Sequence, residues 1–503
     1  MVEASQQASR PVGQSPSITG VYLLVLVGAI LLYGLTAQRG VGWQDSGEYQ
    51  WRVLTGQYAD QTGLARAHPL YIALGRLLML IPIGEIATKL NLFSGLAMAV
   101  ALANLAGLVV LLTGRRWIGA AAAGMLAVCH TAWWLSTVAE VYTLSAAGLT
   151  AELWLLAAMI RRLDLPKLGG LALVNGLGVC VHNFALLPLP VYVAVAIVLV
   201  VRRRLPAWSL AVAGAMWIVG ASLYIGFIVG MALDTGDVLG AVRSALVGEY
   251  GREVFHAAPR GRHLAVNLGL ACLNFLSLLL PLAAVGWARF RQRLGGPTAA
   301  AMGAITVIEL LFVVRYPVPD QFTFLLPTLT MIALAAGVGL GVLLDAGGKW
   351  KRAAVAAAVV SILLPPAAYL GVLQIARTTG VGADRARRLA FRDEQRYWLL
   401  PWKHDEHSAE QFARAALREA APDGVIVPDE TSDHPLALTQ WLEGRWPGVT
   451  VLLPPRAPDE RTAAGRPVFV VSQVPGYCPE ELLHAETFPR AEGEVLYRLR
   501  WEP

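Results

Sequence analysis

Apolar runs near twenty residues long, separated by short polar links, constrain this chain more than any other feature. A helix of ~20 apolar residues crosses the ~30 Å hydrocarbon core of a bilayer. Lipid offers no partner to an unpaired backbone N–H or C=O, so such runs must be helical. The runs read as Ile18–Ala37, Ile86–Thr113, Trp117–Ser136, Tyr142–Ile160, Leu168–Leu187, Val191–Val201, Trp208–Leu233, Leu264–Trp287, Thr298–Val314, Phe322–Leu344 and Ala353–Ile375. Only 15% of the 503 residues are charged and 56% are hydrophobic, against roughly 25% charged in soluble domains. That excludes a water-soluble, disordered or fibrous chain. The formal charge of +6 does not indicate nucleic acid, because the basic residues fall in short inter-helix loops. The cysteines Cys129, Cys180, Cys272 and Cys478 lie far apart, with no CxxC pair and no disulfide framework.

Charge sets the topology. Basic clusters punctuate every second loop: Arg115-Arg116, Arg161-Arg162, Arg202-Arg203-Arg204, Arg289/Arg291/Arg293 and Lys349/Lys351/Arg352. Lys- and Arg-rich loops are retained in the cytoplasm. All five fall on that side if the chain has eleven spans and a cytoplasmic N-terminus. The first run is longer than the ~7–15-residue core of a signal peptide. It therefore reads as a retained span, although Leu35-Thr36-Ala37 loosely resembles a cleavage site. The apolar stretch Leu70–Pro82 is too short to cross and reads as an interfacial helix on the outer leaflet. From about Thr378 the chain becomes charged and proline-rich. Short β-type runs (Gly424–Val427, Val449–Leu453, Val468–Val471) alternate there with helical ones, and Ser408-Ala409-Glu410-Gln411 has the form of a capping box. The expected organisation is a cytoplasmic leader (1–17), an all-α polytopic membrane domain of about eleven transmembrane helices (18–377) and a small soluble extracytoplasmic α/β domain (378–503).

Ionisable residues collect on the expected outer face. Asp45 and Glu48, in the loop after the first span, are three apart and share one face of a helix. Asp45 as N-cap with Glu48 closing a capping box is one reading. A carboxylate that activates a hydroxyl at the membrane surface is the other. Arg52, Arg66 and Arg76 follow; they snorkel and meet headgroups, or they hold a phosphate through bidentate contacts. His68 precedes a proline, as loop-packing histidines do. Glu140 and Tyr142 lie at the next outer turn and His182-Asn183 near the end of a span. Arg315 and Asp320 flank a tight turn, where they form a salt bridge or line a site. Glu140, as a carboxylate near membrane depth, needs a partner or solvent. Phosphate-loop, dinucleotide-binding, HExxH and GxSxG motifs are absent. The expected cytoplasmic loops are too short to build a nucleotide site.

An ordered set of motifs resembles the protein O-mannosyltransferase-like membrane proteins of the GT-C glycosyltransferase superfamily. It comprises Trp43-Gln44-Asp45-Ser46-Gly47-Glu48, Ala67-His68-Pro69-Leu70-Tyr71 with Gly75-Arg76, and Lys89-Leu90-Asn91-Leu92-Phe93-Ser94. Ala139-Glu140-Val141-Tyr142, Gly176-Leu177-Gly178 with His182-Asn183, and Asp320-Gln321-Phe322-Thr323-Phe324-Leu325-Leu326-Pro327 complete it. The family commonly has His-Pro-Pro-Gly before the interfacial helix, whereas here Pro69 runs directly into Leu70. The resemblance implies transfer of a sugar, mannose or another hexose, from a polyprenyl-phosphate donor to an extracytoplasmic protein or glycan hydroxyl. It makes Asp45 the general base, with Glu48 assisting or positioning the acceptor. Arg52, Arg66 and Arg76 would hold the departing phosphate. His68, Glu140, Tyr142, His182, Asn183, Arg315 and Asp320 would line the substrate pocket. A divalent metal is compatible with a phosphate, but no residue pattern specifies one. The implied location is a bacterial inner or plasma membrane, with the bilayer, the lipid-linked donor and the acceptor as partners and no nucleic acid. Two other functions fit an outer polar face. One is a transporter or flippase of lipid-linked substrates, which would show repeats and midplane binding residues. The other is a non-catalytic cell-surface scaffold.

Overall fold

The computed structural model describes residues 18–59, 63–248, 251, 261–316, 318, 320–381, 387–463 and 465–500. The leader expected at 1–17 and residues 252–260 of the loop before the eighth expected span lie outside the described residues. In chain order come α1 (Ile18–Thr36), α2 (Gln44–Thr55), α3 (Pro69–Met79), α4 (Ile86–Thr113), α5 (Arg116–Ala127), α6 (His130–Leu135), α7 (Tyr142–Arg161) and α8 (Leu165–Val181). Then follow α9 (Leu189–Val201), α10 (Trp208–Thr235), α11 (Val238–Leu246), α12 (Gly261–Leu273), α13 (Leu279–Leu294), α14 (Gly296–Arg315), α15 (Leu326–Asp345) and α16 (Gly348–Thr379).

Among the described residues, eight helical stretches are long and apolar enough to cross a membrane, where eleven spans are expected from the runs. The other three runs are interrupted. Trp117–Ser136 breaks at Val128–Cys129 between α5 and α6. Leu168–Leu187 stops at Val181, where His182 turns extended and a short 3₁₀ turn leads into α9. Leu264–Trp287 divides into α12 and α13. A break inside an apolar run exposes backbone groups that need partners, and two of these breaks supply each other. Asn274, between α12 and α13, accepts from Thr131 N (2.8 Å) and donates to Thr131 Oγ1 (2.9 Å) at the start of α6. Hydropathy reads the run and is blind to that pairing.

The bundle is layered around α4 and α15, whose apolar windows are 83% and 89% buried, while α1 and α10, at 17%, face outward. Gly286 and Gly339 let α13 meet α15 backbone to backbone: a Cβ on Gly286 would fall 1.9 Å from Ala335 O. Small residues at helix crossings permit that contact where lipid supplies no hydrophobic drive. One end of the bundle is basic, and there Arg115 and Arg293 both pair with Asp345. The other end carries α2, α3, the turn 137–141 and the tail of the chain. Lys403 N donates to Thr36 O and Thr137 Oγ1 to Pro401 O, each at 2.8 Å.

The tail comprises α17 (Glu394–Leu399), α18 (Ser408–Ala420), β1 (Val425–Val427), α19 (Asp433–Glu443), β2 (Thr450–Val451), α20 (Glu460–Ala463), β3 (Val468–Val470) and β4 (Tyr497–Arg498). The sheet order is β2-β1-β3-β4. β1 runs parallel to β2 and β3, and β4 is antiparallel to β3. The three expected β runs are all present, and β4 joins them without a matching expectation. The capping box at Ser408 does not form. His407 is the N-cap, without a side-chain bond, because Ser408 Oγ is taken by Trp43 Nε1 (2.8 Å) and Glu406.

Candidate active site

The loop after α1 is sewn to α4 by buried amides. Gln50 Nε2 donates to Asn91 Oδ1 (3.0 Å), and its Oε1 accepts from Gly42 N (2.9 Å). Asn91 Nδ2 donates to Gln38 O (3.0 Å) and Gly40 O (2.9 Å). These bonds fix where α2 starts. Gln44 adopts φ +55° immediately before Asp45, a conformation costly for a residue with a Cβ and concentrated at functional sites. Trp43 is the N-cap and makes no side-chain cap bond. Asp45 therefore lies inside the first turn, and the Asp45/Glu48 capping-box reading fails.

Four charged side chains, Asp45, Glu48, Arg52 and Arg66, form the floor. Glu48, 12% exposed, pairs with Arg52 Nη1 (3.2 Å) and Arg66 Nη2 (2.6 Å). Arg66 also reaches Asp45 Oδ1 at 3.5 Å. Asp45 keeps 40% of its side chain accessible. Arg52 is 2% exposed and spends its guanidinium on the loop itself. Nε donates to Gln57 O (3.2 Å), Nη1 to Glu48 Oε1 and Arg66 O (2.8 Å), and Nη2 to Tyr58 O and Ala67 O (both 2.7 Å). A guanidinium has five N–H groups. With all five used, Arg52 is a clamp on the loop, and the expectation that it holds a phosphate is corrected. Arg76, exposed at the end of α3, donates to Val53 O (3.2 Å) at the C-terminus of α2, where a cation complements the helix dipole. Of the three arginines, Arg66 reaches both Asp45 and Glu48, while Arg52 pairs with Glu48.

Glu140 enters from the turn before α7. Its N–H donates to Ser94 Oγ (2.9 Å), and among the described residues its buried Oε2 has no hydrogen-bond partner. Burial raises its pKa well above the usual carboxylate range; the charges of Asp45, Asp320 and Glu48 add to this and Arg66 opposes it. Burial and the neighbouring acids therefore favour the protonated form of Glu140. Asp320 is raised by burial against the pull of Arg66 and Thr323. Tyr49 is raised by burial, then by Asp45, Glu140 and Glu48. These mutual influences show that Asp45, Glu48, Glu140, Asp320 and Arg66 occupy one electrostatic neighbourhood.

His68 holds φ +47°. Its Nδ1 sits 2.8 Å from Val181 O, and its ring stacks on His182 at 5.1 Å. Burial, His182 and Arg52 push its pKa well below 6.5, so His68 is a neutral packing group. His182 Nδ1 accepts from Phe184 N (3.1 Å), and Tyr142 packs on His182 and Phe324, each at 5.3 Å. This aromatic column ties the loop to the span ends. Asn183 instead binds Ala245 O on α11 (2.8 Å). Arg315 is exposed at the end of α14 and forms no ion pair with Asp320 among the described residues.

Sequence reasoning overlooked the segment 429–435 of the tail, which lies on α2. Gln44 N donates to Thr431 O (3.1 Å). A Cβ on Gly47 would stand 2.9 Å from Pro435 Cδ, so only glycine admits this approach. The acids and serine of Asp429–Asp433 mark a helix start in sequence, but nothing local says where that start docks. No group of three or more His, Cys, Asp or Glu placed to hold a metal ion occurs among the described residues.

Residues 45–205 match the family model described as the protein O-mannosyl-transferase TMEM260 N-terminal domain. No curated protein matches the chain. Among solved structures, ArnT from Cupriavidus metallidurans bound to undecaprenyl phosphate is similar with TM-score 0.56 at 13% identity, covering 95% of this chain and 98% of that one. The apo form gives 0.51 at 14%, with the same coverage. The Archaeoglobus fulgidus oligosaccharyltransferase gives 0.47 at 13%, over 90% and 67%. Residues 45–205 are thus similar to an O-mannosyl-transferase N-terminal domain, and the chain shares the fold of ArnT over most of its length.

Proposed function

We propose that the chain is an integral membrane glycosyltransferase that moves a sugar, mannose or another hexose, from a polyprenyl-phosphate donor to a hydroxyl of an extracytoplasmic protein or glycan. Asp45 is the general base. The observation that carries the reading is the division of labour among the carboxylates. Glu48 is locked between two arginines, and Glu140 is buried with its carboxyl pushed well above the usual range. Asp45 remains accessible beside Arg66. In the transfer, the acceptor O–H proton passes to the Asp45 carboxylate as the acceptor oxygen bonds to the anomeric carbon. The bond from that carbon to the phosphate oxygen breaks, and the carrier phosphate leaves with its electron pair. Arg66 is the cation in reach of that departing charge. Glu48 positions Arg66, a revision of its expected part in holding the acceptor.

ArnT was crystallised with undecaprenyl phosphate, which supports a lipid-linked donor for a chain of the same fold. The basic end of the bundle, where Arg115 and Arg293 meet Asp345, supports a site facing away from the cytoplasm. Purified protein with polyprenyl-phosphate hexoses and a hydroxyl acceptor provides the test. Asp45→Asn lowers kcat by about 10²–10⁴-fold, the usual worth of a positioned base. Full activity in that variant removes the assigned base. Uptake of lipid-linked substrate by reconstituted vesicles, with no transfer, selects the transporter reading.

A further inference from the structure

The turn before α19 is largely buried and densely hydrogen-bonded. Asp429 Oδ1 accepts from Thr431 N (3.1 Å), Ser432 N (3.0 Å) and Ser432 Oγ (2.8 Å). Its Oδ2 pairs with Arg387 Nε at 2.8 Å, with both side chains at most 9% exposed. The turn is pinned to the membrane part by the Gln44–Thr431 bond and the Gly47–Pro435 contact. Residues 431–435 therefore run beside 44–47, the stretch that holds Asp45.

What this scaffold presents is an aspartate–histidine pair. His434 Nδ1 lies 2.9 Å from Asp433 Oδ1; the aspartate side chain is 6% exposed and the histidine 21%. A carboxylate at Nδ1 fixes the tautomer and orients the ring, leaving Nε2 as an acceptor. Among the described residues Nε2 makes no hydrogen bond. Packing at the seam does not require an imidazole oriented in this way, since Pro435 already fills the contact with Gly47.

We infer that His434, oriented by Asp433, is a positioning residue through which the C-terminal part completes the site, its Nε2 accepting a hydrogen bond from the hydroxyl-bearing acceptor as that acceptor is brought to Asp45. The inference rests on the transferase reading above. The charged groups around His434 are Asp433, with Glu430 and Asp429 on its own segment, and Glu48 and Arg66 from the loop. Burial lowers its pKa; the bond and charge of Asp433, then Glu48, raise it and Arg66 opposes them, for a net rise above 6.5. Below that pKa Nε2 carries a proton and cannot accept, so acceptor KM rises as pH falls.

The experiment uses the full chain in lipid nanodiscs with a polyprenyl-phosphate hexose and a hydroxyl acceptor. It measures KM for each substrate and kcat across pH. His434→Ala raises acceptor KM by about tenfold, the worth of one good hydrogen bond, and leaves donor KM unchanged. His434→Gln, which keeps an acceptor atom without titrating, restores part of the affinity and flattens the pH dependence. Unchanged acceptor KM in His434→Ala overturns the inference. So does an equal rise in donor KM, or a pH profile that survives in His434→Gln. Absence of transfer by the wild type, or full activity in Asp45→Asn, overturns the transferase reading instead.

Discussion

Arg52→Lys separates a clamp from a ligand. The substitution keeps the charge beside Glu48 but replaces five fixed donors with three. At least two of the bonds to Glu48, Gln57 O, Tyr58 O, Arg66 O and Ala67 O are therefore lost. Hydrogen bonds to charged groups contribute about 1.5–3 kcal/mol each, so two are worth roughly 3–6 kcal/mol. The lower figure, at 1.4 kcal/mol per factor of ten, raises the open population of the loop on the order of 10²-fold. Hydrogen exchange reads this directly: the amides of Gln57, Tyr58 and Gly63–Ala67 exchange faster by that factor, while those of α4 do not change. Unaltered exchange in the loop together with weaker binding of the polyprenyl-phosphate donor would refute the clamp and return Arg52 to the phosphate.

Two further outcomes follow from the seam. Lys403 is buried, donating to Leu400 O (2.6 Å) and Tyr397 O, and burial pulls its pKa down to about 7 against 10.5. Between those values the unfolded chain binds the extra proton, so stability rises with pH; in Lys403→Met this rise in melting temperature from pH 7 to 10 disappears, and a rise equal to wild type rejects the assignment. Gly47→Ala places a Cβ 2.7 Å from Gly42 O and 2.9 Å from Pro435 Cδ. Overpacking of this kind costs about 1–3 kcal/mol and loosens the seam, seen as faster exchange at Thr431 and Ser432; unchanged exchange there means the seam has slack.

The legible part of the site is the part encoded locally. Asp45 stands out because it directly follows a membrane-length helix, and Glu140 because an acid at the end of a span needs explanation. His68 and Arg52 are as conspicuous in sequence, yet one is a neutral packing ring and the other a loop clamp. Their roles depend on carbonyls at Val181, Tyr58 and Ala67 that present no side-chain signal. Gln50 and Asn91, which hold the loop in place, read in sequence as ordinary polar residues.

Run length and charge alternation by themselves determined a helical membrane protein with a basic end, because the cost of unpaired backbone in lipid applies to each segment separately. The tertiary structure alone decided that Arg66 bridges Asp45 and Glu48 while Arg52 is spent on the loop carbonyls as well as on Glu48. It also decided that three apolar runs break where side chains such as Asn274 can satisfy them, and that the segment 431–435 comes to rest along 44–47. Those outcomes are set by distances between segments that are not neighbours in sequence, and hydrogen bonds and ion pairs act only over a few ångströms.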